Sequence, residues 1–502
     1  MKFKRSIYNI IVGVLGQLIT IIMGIIIPKL FITSFGSEVN GLMTSITQIY
    51  VYIGLLEAGI GTATIQALYK PIANEDKGEI NGILSATDRY YKKTGLYYFF
   101  AIVLFAVIYP FTIKADISKL SIFFVIIFTG LGSVINYLFQ GKYKLLLTAE
   151  GKNYIVSSIA TIINVVTNIA KIVCIYLGYD IVTIQVVYCI INISQMIFFG
   201  MYIKRHYKWL DLSVKPNKEA ISQKNFVLIH QISSMVFSNT DILILTYFTN
   251  LKVVSVYSIY NMVYTTISNI LAAVNTGLVF TLGQTFQVDK KKYIKLLDCY
   301  ETYYMCINFA LYTVTYLLIL PFLELYTAGI TDINYIDKYL PILFLCVQAL
   351  VAGRSGMLNT INIAGHFKNT WKRSVIESII NIVVSLAFVG KYGIYGILIG
   401  TITALLYRTI DIIIYSNVKI LNRSTWSTFR KWIVNISILL VVAVIGTNNM
   451  PTINSYIDFF IVGIKLTVMI LPVFIAINSI IERNSYNMLV GFIKKKINFK
   501  KA

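Results

Sequence analysis

Long apolar runs recur along almost the whole chain, and lysines, arginines and acidic residues gather in the short stretches between them. The runs do not alternate polar with apolar positions, which excludes the strands of a membrane barrel. Each can cross the hydrocarbon core as a helix, which takes about 20 consecutive apolar residues. The pattern predicts fourteen spans, at 7–31, 40–68, 90–110, 119–141, 153–178, 180–203, 225–248, 254–284, 299–325, 339–363, 370–390, 393–417, 431–448 and 457–481. The expected fold is an all-α integral membrane protein. Composition points the same way: of 502 residues, 57% are hydrophobic and 13% charged, whereas about 25% of a soluble domain is charged.

Charge placement orients these spans. With the N-terminus cytoplasmic, 34 of the 44 Lys and Arg fall to inner loops and tails, among them Lys2, Lys4, Arg5, Lys204, Arg205, Lys290, Lys291, Lys292, Lys494, Lys495 and Lys496. Five fall to outer loops: Lys114, Lys119, Lys252, Lys338 and Lys391. This positive-inside bias predicts a multi-pass inner-membrane protein with both termini cytoplasmic. It accounts for the net charge of +22 without any nucleic acid. Trp209, Trp371, Trp426 and Trp432 all fall beside inner loops, the headgroup level that amphipathic rings prefer. The first run follows basic residues as a signal peptide does, but its length and the lack of an A-x-A site predict a retained span. Cys174, Cys189, Cys299, Cys306 and Cys346 show no C-x-x-C spacing and read as small buried apolar residues.

Three matches at nearly equal offsets indicate an internal repeat. Ile162-Ile163-Asn164-Val165-Val166 recurs as Ile379-Ile380-Asn381-Ile382-Val383, a separation of 217; Gln17 answers Gln231 at 214; Gly178 answers Gly393 at 215. Spans 1–6 are then duplicated as spans 7–12, and because both copies begin inside, the repeat is parallel. The expected division is an N-lobe over 1–204, a cytoplasmic linker over 205–224, a C-lobe over 225–417, and two further helices with a basic tail over 418–502.

Short outer loops argue against a membrane polymerase or glycosyltransferase, so no enzyme activity and no cofactor are expected. Gly141-Lys142-Tyr143 lacks the upstream glycine and following Ser or Thr of a phosphate-binding loop. Transport would therefore draw on an ion gradient or the membrane potential.

A six-plus-six parallel repeat with two extra helices, the stretch Tyr207-Lys208-Trp209-Leu210 before the linker, and His230-Gln231-Ile232-Ser233-Ser234 through Ser238-Asn239-Thr240-Asp241 in span seven together resemble the polysaccharide repeat-unit flippases. These belong to the multidrug/oligosaccharidyl-lipid/polysaccharide (MOP) exporter superfamily. The resemblance covers essentially the whole chain, and its motifs are diffuse. It implies a MATE-like transporter of two six-helix lobes with a central cavity lined mainly by spans 1, 2, 7 and 8, with spans 4, 5, 10 and 11 contributing. It implies alternating access that carries undecaprenyl-diphosphate-linked oligosaccharides outward for capsule, O-antigen or exopolysaccharide assembly. Membrane lipids, a coupling proton or Na+ and a polysaccharide polymerase are the partners it implies. Relatives that flip the peptidoglycan precursor carry several arginines early in span one; here that span has none before Lys29, which argues against a cell-wall precursor. A drug or cation antiporter of the same superfamily is the alternative.

Charged side chains at bilayer depth cost roughly 2.5–3.5 kcal/mol each on insertion scales and need a partner or a wet cavity. Those recognised are Lys29, Glu57, Lys171, Asp241, Arg354, Arg408, Asp411 and Lys465. Arg408 and Asp411, spaced i, i+3, read as a structural pair, and Lys465 as a snorkelling lysine. Lys29, after Pro28, reads either as snorkelling or as an outer-gate contact. Asp241 and Glu57 face Ile27 and Leu271 in the repeat register, so their charge breaks the internal symmetry; they are the ion-coupling candidates. Arg354, Lys171 and Lys29 are the substrate-binding cations, with Arg354 expected to hold the diphosphate that supplies its missing counter-charge. Its neighbours Ala352, Gly353, Ser355 and Gly356 suit either close helix packing or a cavity wall. Tyr257, Tyr260 and Tyr264 share one face of span eight, where they either stack on sugar rings or fill a helix interface.

Overall fold

The computed structural model describes residues 2–57, 60–217 and 225–499, and side chains for all of these except 2–15, 56, 62, 225–231, 273, 274, 276, 277, 280, 287 and 492–499. The end of the linker and the His230-Gln231 pair lie outside the described residues and side chains. The chain divides into two compact units, Met1–Ser255 and Val256–Ala502. The first holds α1 (Lys2–Phe35), α2 (Ser37–Ile53), α3 (Ile60–Ala73), α4 (Lys77–Thr112), α5 (Lys119–Ile135), α6 (Gly141–Ala149), α7 (Asn153–Tyr176), α8 (Ile181–His206) and α9 (Asn225–Phe248). α10 (Leu251–Val288) begins in it and continues into the second. The second unit further holds α11 (Lys290–Tyr326), α12 (Leu340–Gly353), α13 (Ser355–Ile363), α14 (Phe367–Tyr392), α15 (Ile394–Tyr415), α16 (Trp426–Asn448), α17 (Tyr456–Ile481) and α18 (Arg483–Phe499).

The fold is all-helical among the described residues, and eleven of its helical segments are long and apolar enough to cross a membrane. The predicted spans 40–68, 225–248 and 254–284 correspond to α2 with α3, to α9 and to α10. Three predicted spans are interrupted rather than continuous. Span two breaks at a 3₁₀ turn, Gly54–Glu57. Span four runs through a π-helical turn, Asn136–Gln140, into α6. There the Gly141 N–H reaches back five residues to the Asn136 carbonyl, and the ring of Tyr91 fills the space beside Gly141, where a Cβ would lie 2.5 Å from Tyr91 Cε2. Span ten breaks at Arg354, between α12 and α13.

The first unit packs in two apolar layers. One gathers Leu42, Ile46, Ile102, Ile122, Val125 and Ile184; the other gathers Leu68, Ile83, Leu84, Leu146, Phe199 and Tyr207, with Trp209 against it. α9 docks on α2 through polar contacts: Thr246 Oγ1 donates to Ser45 Oγ at 2.9 Å and Tyr52 Oη meets Thr240 Oγ1 at 2.5 Å. Asn40 Nδ2 donates to Ser255 Oγ at 2.8 Å. At Gly41 the backbones come so close that a Cβ would lie 1.8 Å from the Leu251 carbonyl oxygen. Between α7 and α8, Asp180 caps α8 by accepting from Thr183 N–H at 3.4 Å, and the Thr183 hydroxyl holds its carboxyl below the usual range.

In the second unit α14 and α15 form an antiparallel hairpin. Gly396 and Gly400, four apart, let the backbones meet: a Cβ on Gly400 would lie 2.2 Å from Ser385 Oγ and 2.8 Å from its backbone N. Asn381 Nδ2 donates across the same seam to Thr401 Oγ1 at 2.9 Å. Trp432, one of the four tryptophans beside inner loops, packs within the unit. It is buried against Phe309 at 5.9 Å, edge-on, and against Gly353, where a Cβ would lie 2.2 Å from the indole. Cys174, Cys189 and Cys306 are buried as expected, but Cys299 is half-buried and Cys346 exposed.

Candidate functional site

Glu57 ends the 3₁₀ turn that breaks span two, so its carboxylate sits where backbone leaves α geometry, a recurrent feature of transporter sites. The Tyr91 hydroxyl donates to Glu57 Oε1, and the Tyr137 side chain also lies near enough to the carboxylate to interact with it electrostatically. Tyr137 comes from the π-helical turn, itself a geometry frequent at functional sites. The Tyr91 and Tyr137 rings meet edge to face at 5.8 Å, and Tyr98 continues the row at 5.3 Å. Gly61 lets α3 pack close to the carboxylate, since a Cβ there would lie 3.0 Å from Glu57 Oε1. No cation pairs with Glu57 among the described residues. Asp241 lies elsewhere in this unit, buried at the α2–α9 seam beside the Tyr52–Thr240 contact. The two carboxylates thus occupy different surroundings.

Lys171, on α7, places its ammonium 4.8 Å from the centre of the Tyr188 ring, a cation–π contact. Lys29 is half-buried in the part of α1 that follows Pro28. Lys465 is exposed on α17.

In the second unit three guanidiniums meet two carboxylates. Glu377, on α14, binds Arg354 Nη1 at 2.6 Å through Oε1 and Arg408 Nε at 3.5 Å through Oε2. Arg408 Nη1 binds Asp411 Oδ2 at 2.5 Å, the i, i+3 pair read from the sequence. Arg373 binds the other Asp411 oxygen and stacks on Tyr415 at 4.8 Å. Arg408 also donates to Ser374 Oγ at 3.2 Å. The expectation that Arg354 lacks a protein counter-charge is therefore corrected. Glu377 supplies it from a helix 23 residues further along the chain. Arg354 remains 12% exposed at its side chain and Arg373 37%, while Arg408 is 3% exposed.

Tyr257, Tyr260 and Tyr264 are interior packing in this structure. The Phe344 ring lies between Tyr260 at 5.7 Å and Tyr264 at 5.8 Å, nearly parallel to both, and meets Tyr257 at 5.3 Å. The Tyr260 hydroxyl donates to the Tyr335 carbonyl and that of Tyr264 to the Pro341 carbonyl, each at 2.9 Å. All three are buried, so the sugar-stacking face expected of them is occupied by protein.

Sequence reasoning missed a second charged network. Arg423 and Lys431 bind Asp298 at 2.8 Å each, and bind Glu301 at 3.1 and 3.2 Å. Two cations against two carboxylates, with Lys431 and Glu301 each 1% exposed, make this a balanced joint between α11 and α16. Asp88, held by Lys142 and by Lys92 at 2.8 Å, was missed as well. A cavity of about 500 Å³ is lined by Glu324, Thr327, Thr331, Asn334 and Tyr335, and none of the predicted residues faces it.

Neither a protein-family model nor a curated protein matches the chain. Solved structures do. A lipid II flippase, MurJ, in an inward closed conformation is similar over 95% of this chain and 99% of its own, with a TM-score of 0.65 at 13% identity. A multidrug resistance MATE family transporter of the MOP superfamily is similar in its inward-facing conformation, with a TM-score of 0.59, 13% identity and coverage of 82% and 96%. In an outward-facing conformation such a transporter gives 0.57 at 13% identity, covering 86% and 97%. At this identity the likeness is one of fold.

Proposed function

We propose that this chain is a membrane flippase that carries undecaprenyl-diphosphate-linked oligosaccharide repeat units from the inner to the outer leaflet of a bacterial cell membrane. It works by alternating access coupled to a proton or Na+. The observation that carries the reading is the arginine network of the second unit, in which Arg354, Arg373 and Arg408 outnumber Glu377 and Asp411 by one charge. Arg354 and Arg373 are its accessible members. A diphosphate offers oxygens in the geometry a guanidinium fork binds best, and it would complete the charge balance that the two carboxylates leave unfinished. Lys171 and Lys29 are the further cations of the substrate path, and Glu57 and Asp241 the coupling carboxylates. The fold is one that a lipid II flippase also uses.

The experiment is surface polysaccharide restored to a flippase-deficient strain, with protein level measured in parallel. Wild type should restore export, Arg354→Lys should restore part of it, and Arg354→Ala nearly none. Wild-type export by Arg354→Ala at normal abundance would remove this arginine from substrate binding.

A drug or cation antiporter is the second reading, favoured by the Glu57 carboxylate with the Tyr91 phenol donating to it and Tyr137 nearby, a site that can hold a proton or a cation. Efflux of a fluorescent cationic dye from vesicles, with no flipping of lipid-linked sugar in proteoliposomes, would select it.

A further inference from the structure

Helix α7 carries three distinct faces. Ile162, Val166, Ile169 and Val173 are exposed at 60%, 45%, 51% and 48%; at helical spacing they form one apolar stripe suited to lipid. Ile163, Thr167 and Cys174 are buried against neighbouring helices. On the side roughly opposite the apolar stripe run Thr161, Asn164, Asn168 and Lys171, spaced three and four apart and therefore stacked on one face.

This polar face is not consumed by packing. Asn164 is exposed, and Thr161, Asn168 and Lys171 are half-buried. Asn168 Nδ2 donates to Asn164 Oδ1 at 2.9 Å, which joins the two amides into a ladder. α1 abuts it at Gly16, where a Cβ would lie 2.6 Å from Thr161 Oγ1, and adds exposed Gln17 and Thr20 on its own side away from Leu18 and Ile22.

The repeated segment gives an internal comparison. In α14, Ile379 and Val383 are exposed at 53% and 59% like their counterparts in α7. The corresponding Asn381 is fully buried and bonded to Thr401 of α15. The same five-residue pattern thus uses its asparagine as a helix–helix bond in one unit and, in the other, leaves it exposed and bonded only within its own helix. Two amides whose one mutual bond leaves most of their donors and acceptors unused, and an ammonium, are costly at bilayer depth in hydrocarbon, so the face must meet water.

We infer that Thr161, Asn164, Asn168 and Lys171 form a water-lined track that binds the sugar portion of the transported molecule; this rests on the flippase reading for the identity of the ligand. Each asparagine offers both a carbonyl acceptor and an amide donor, which matches hydroxyl groups that donate and accept. The stripe holds one cation and no carboxylate, which suits neutral or acidic sugars and disfavours cations. From Thr161 to Lys171 it rises about 15 Å, half of a hydrocarbon core of about 30 Å.

The test uses the full-length protein with native cysteines replaced and single cysteines introduced as Asn164→Cys, Asn168→Cys, Ile162→Cys and Val166→Cys. A charged methanethiosulfonate should modify the first two roughly tenfold faster than the last two, because the reacting thiolate forms only where water reaches it. Added undecaprenyl-diphosphate-linked oligosaccharide should slow modification at Asn164→Cys, and undecaprenyl diphosphate without sugar should not. Equal rates on the two faces would overturn the track, and protection by both lipids would assign it to the diphosphate instead. In the flippase-deficient strain Asn164→Leu with Asn168→Leu should cut export strongly at normal abundance, while Ile162→Leu leaves it unchanged; full export by the double variant would also overturn the sugar assignment. Failure of the wild type to restore export strikes the flippase reading itself, and the labelling rates still decide whether the face is wet.

Discussion

Arg354 Nη1 lies 2.6 Å from Glu377 Oε1, and the second oxygen of the same carboxylate faces Arg408 Nε at 3.5 Å. One carboxylate therefore ties the joint between α12 and α13 to the middle of α15 through α14. Arg354 keeps α-type backbone bonds on both sides of the break, its N–H to the Leu350 carbonyl at 3.4 Å and its carbonyl from the Leu358 N–H at 3.0 Å, so the ion pair adds a side-chain tie to a joint the backbone still spans. The substrate binding proposed for Arg354 and the stability of this joint would then be two roles of one network, and they respond differently to mutation.

Glu377→Ala removes the only carboxylate paired with Arg354 among the described residues and leaves Arg408 to Asp411. Breaking a buried pair from one side costs about 3–5 kcal/mol, so the thermal-unfolding midpoint in detergent should fall clearly. Glu377→Ala combined with Arg354→Met should recover much of the loss, since the stranded guanidinium is gone. A double variant as unstable as the single one would show that the pair is not the source of the effect.

How far the sequence reaches is visible in these same residues. Arg408 and Asp411 could be paired from spacing alone because a helix places i and i+3 side by side. Glu377 could not be matched to Arg354, because which helix neighbours which is decided by packing between elements far apart in the chain. Long apolar runs made the membrane helices legible. The breaks at Gly54–Glu57 and Asn136–Gln140 were not, because no proline marks them; beside the second the Tyr91 ring packs on Gly141, a contact between helices that spacing along the chain does not reveal. The tyrosines of α10 share a face as read, but periodicity gives no sign that Phe344 fills it.

The carboxylates proposed for coupling lead to a kinetic expectation. Transport by Glu57→Gln and Asp241→Asn in proteoliposomes should lose its dependence on an imposed ion gradient. Tyr91→Phe removes one phenol donor to Glu57 while keeping the ring beside Gly141, so it should weaken the gradient dependence without abolishing transport. Unchanged gradient dependence in all three variants would remove both carboxylates from coupling.

Topology can be read by labelling. An impermeant thiol reagent applied to intact cells should modify a cysteine at Asn334, between α11 and α12, and spare one at Asn217. The Asn217 N–H bonds the Gly82 carbonyl at 3.0 Å and its residue is half-buried, so protection there alone is ambiguous. Lys215, exposed two residues earlier, supplies the control: it should resist the reagent in intact cells and react once cells are opened. Exposed Cys346 must be replaced first. Labelling of position 215 from outside would invert the proposed orientation.

The α14–α15 seam offers a test of packing that leaves every charge in place. A Cβ on Gly400 would lie 2.2 Å from Ser385 Oγ, 2.8 Å from Ser385 N and 3.0 Å from the Asn381 carbonyl oxygen. A side-chain oxygen can rotate away, but two backbone atoms cannot, so the helices must separate. Separation strains the Asn381–Thr401 bond and the Glu377–Arg408 contact that cross the same seam. Overpacking of this kind costs typically about 1–3 kcal/mol, and Gly400→Ala should lower the unfolding midpoint accordingly. Gly24→Ala in α1 is the matched control, because nothing lies within 4 Å of its Cβ position and alanine favours a helix interior by about 1 kcal/mol over glycine. Its midpoint should hold or rise. Adding Ser385→Ala to Gly400→Ala removes the closest atom and leaves the backbone contacts, so it should restore only part of the loss. Full restoration would mean that the hydroxyl, and not the approach of the two backbones, sets the need for glycine at position 400.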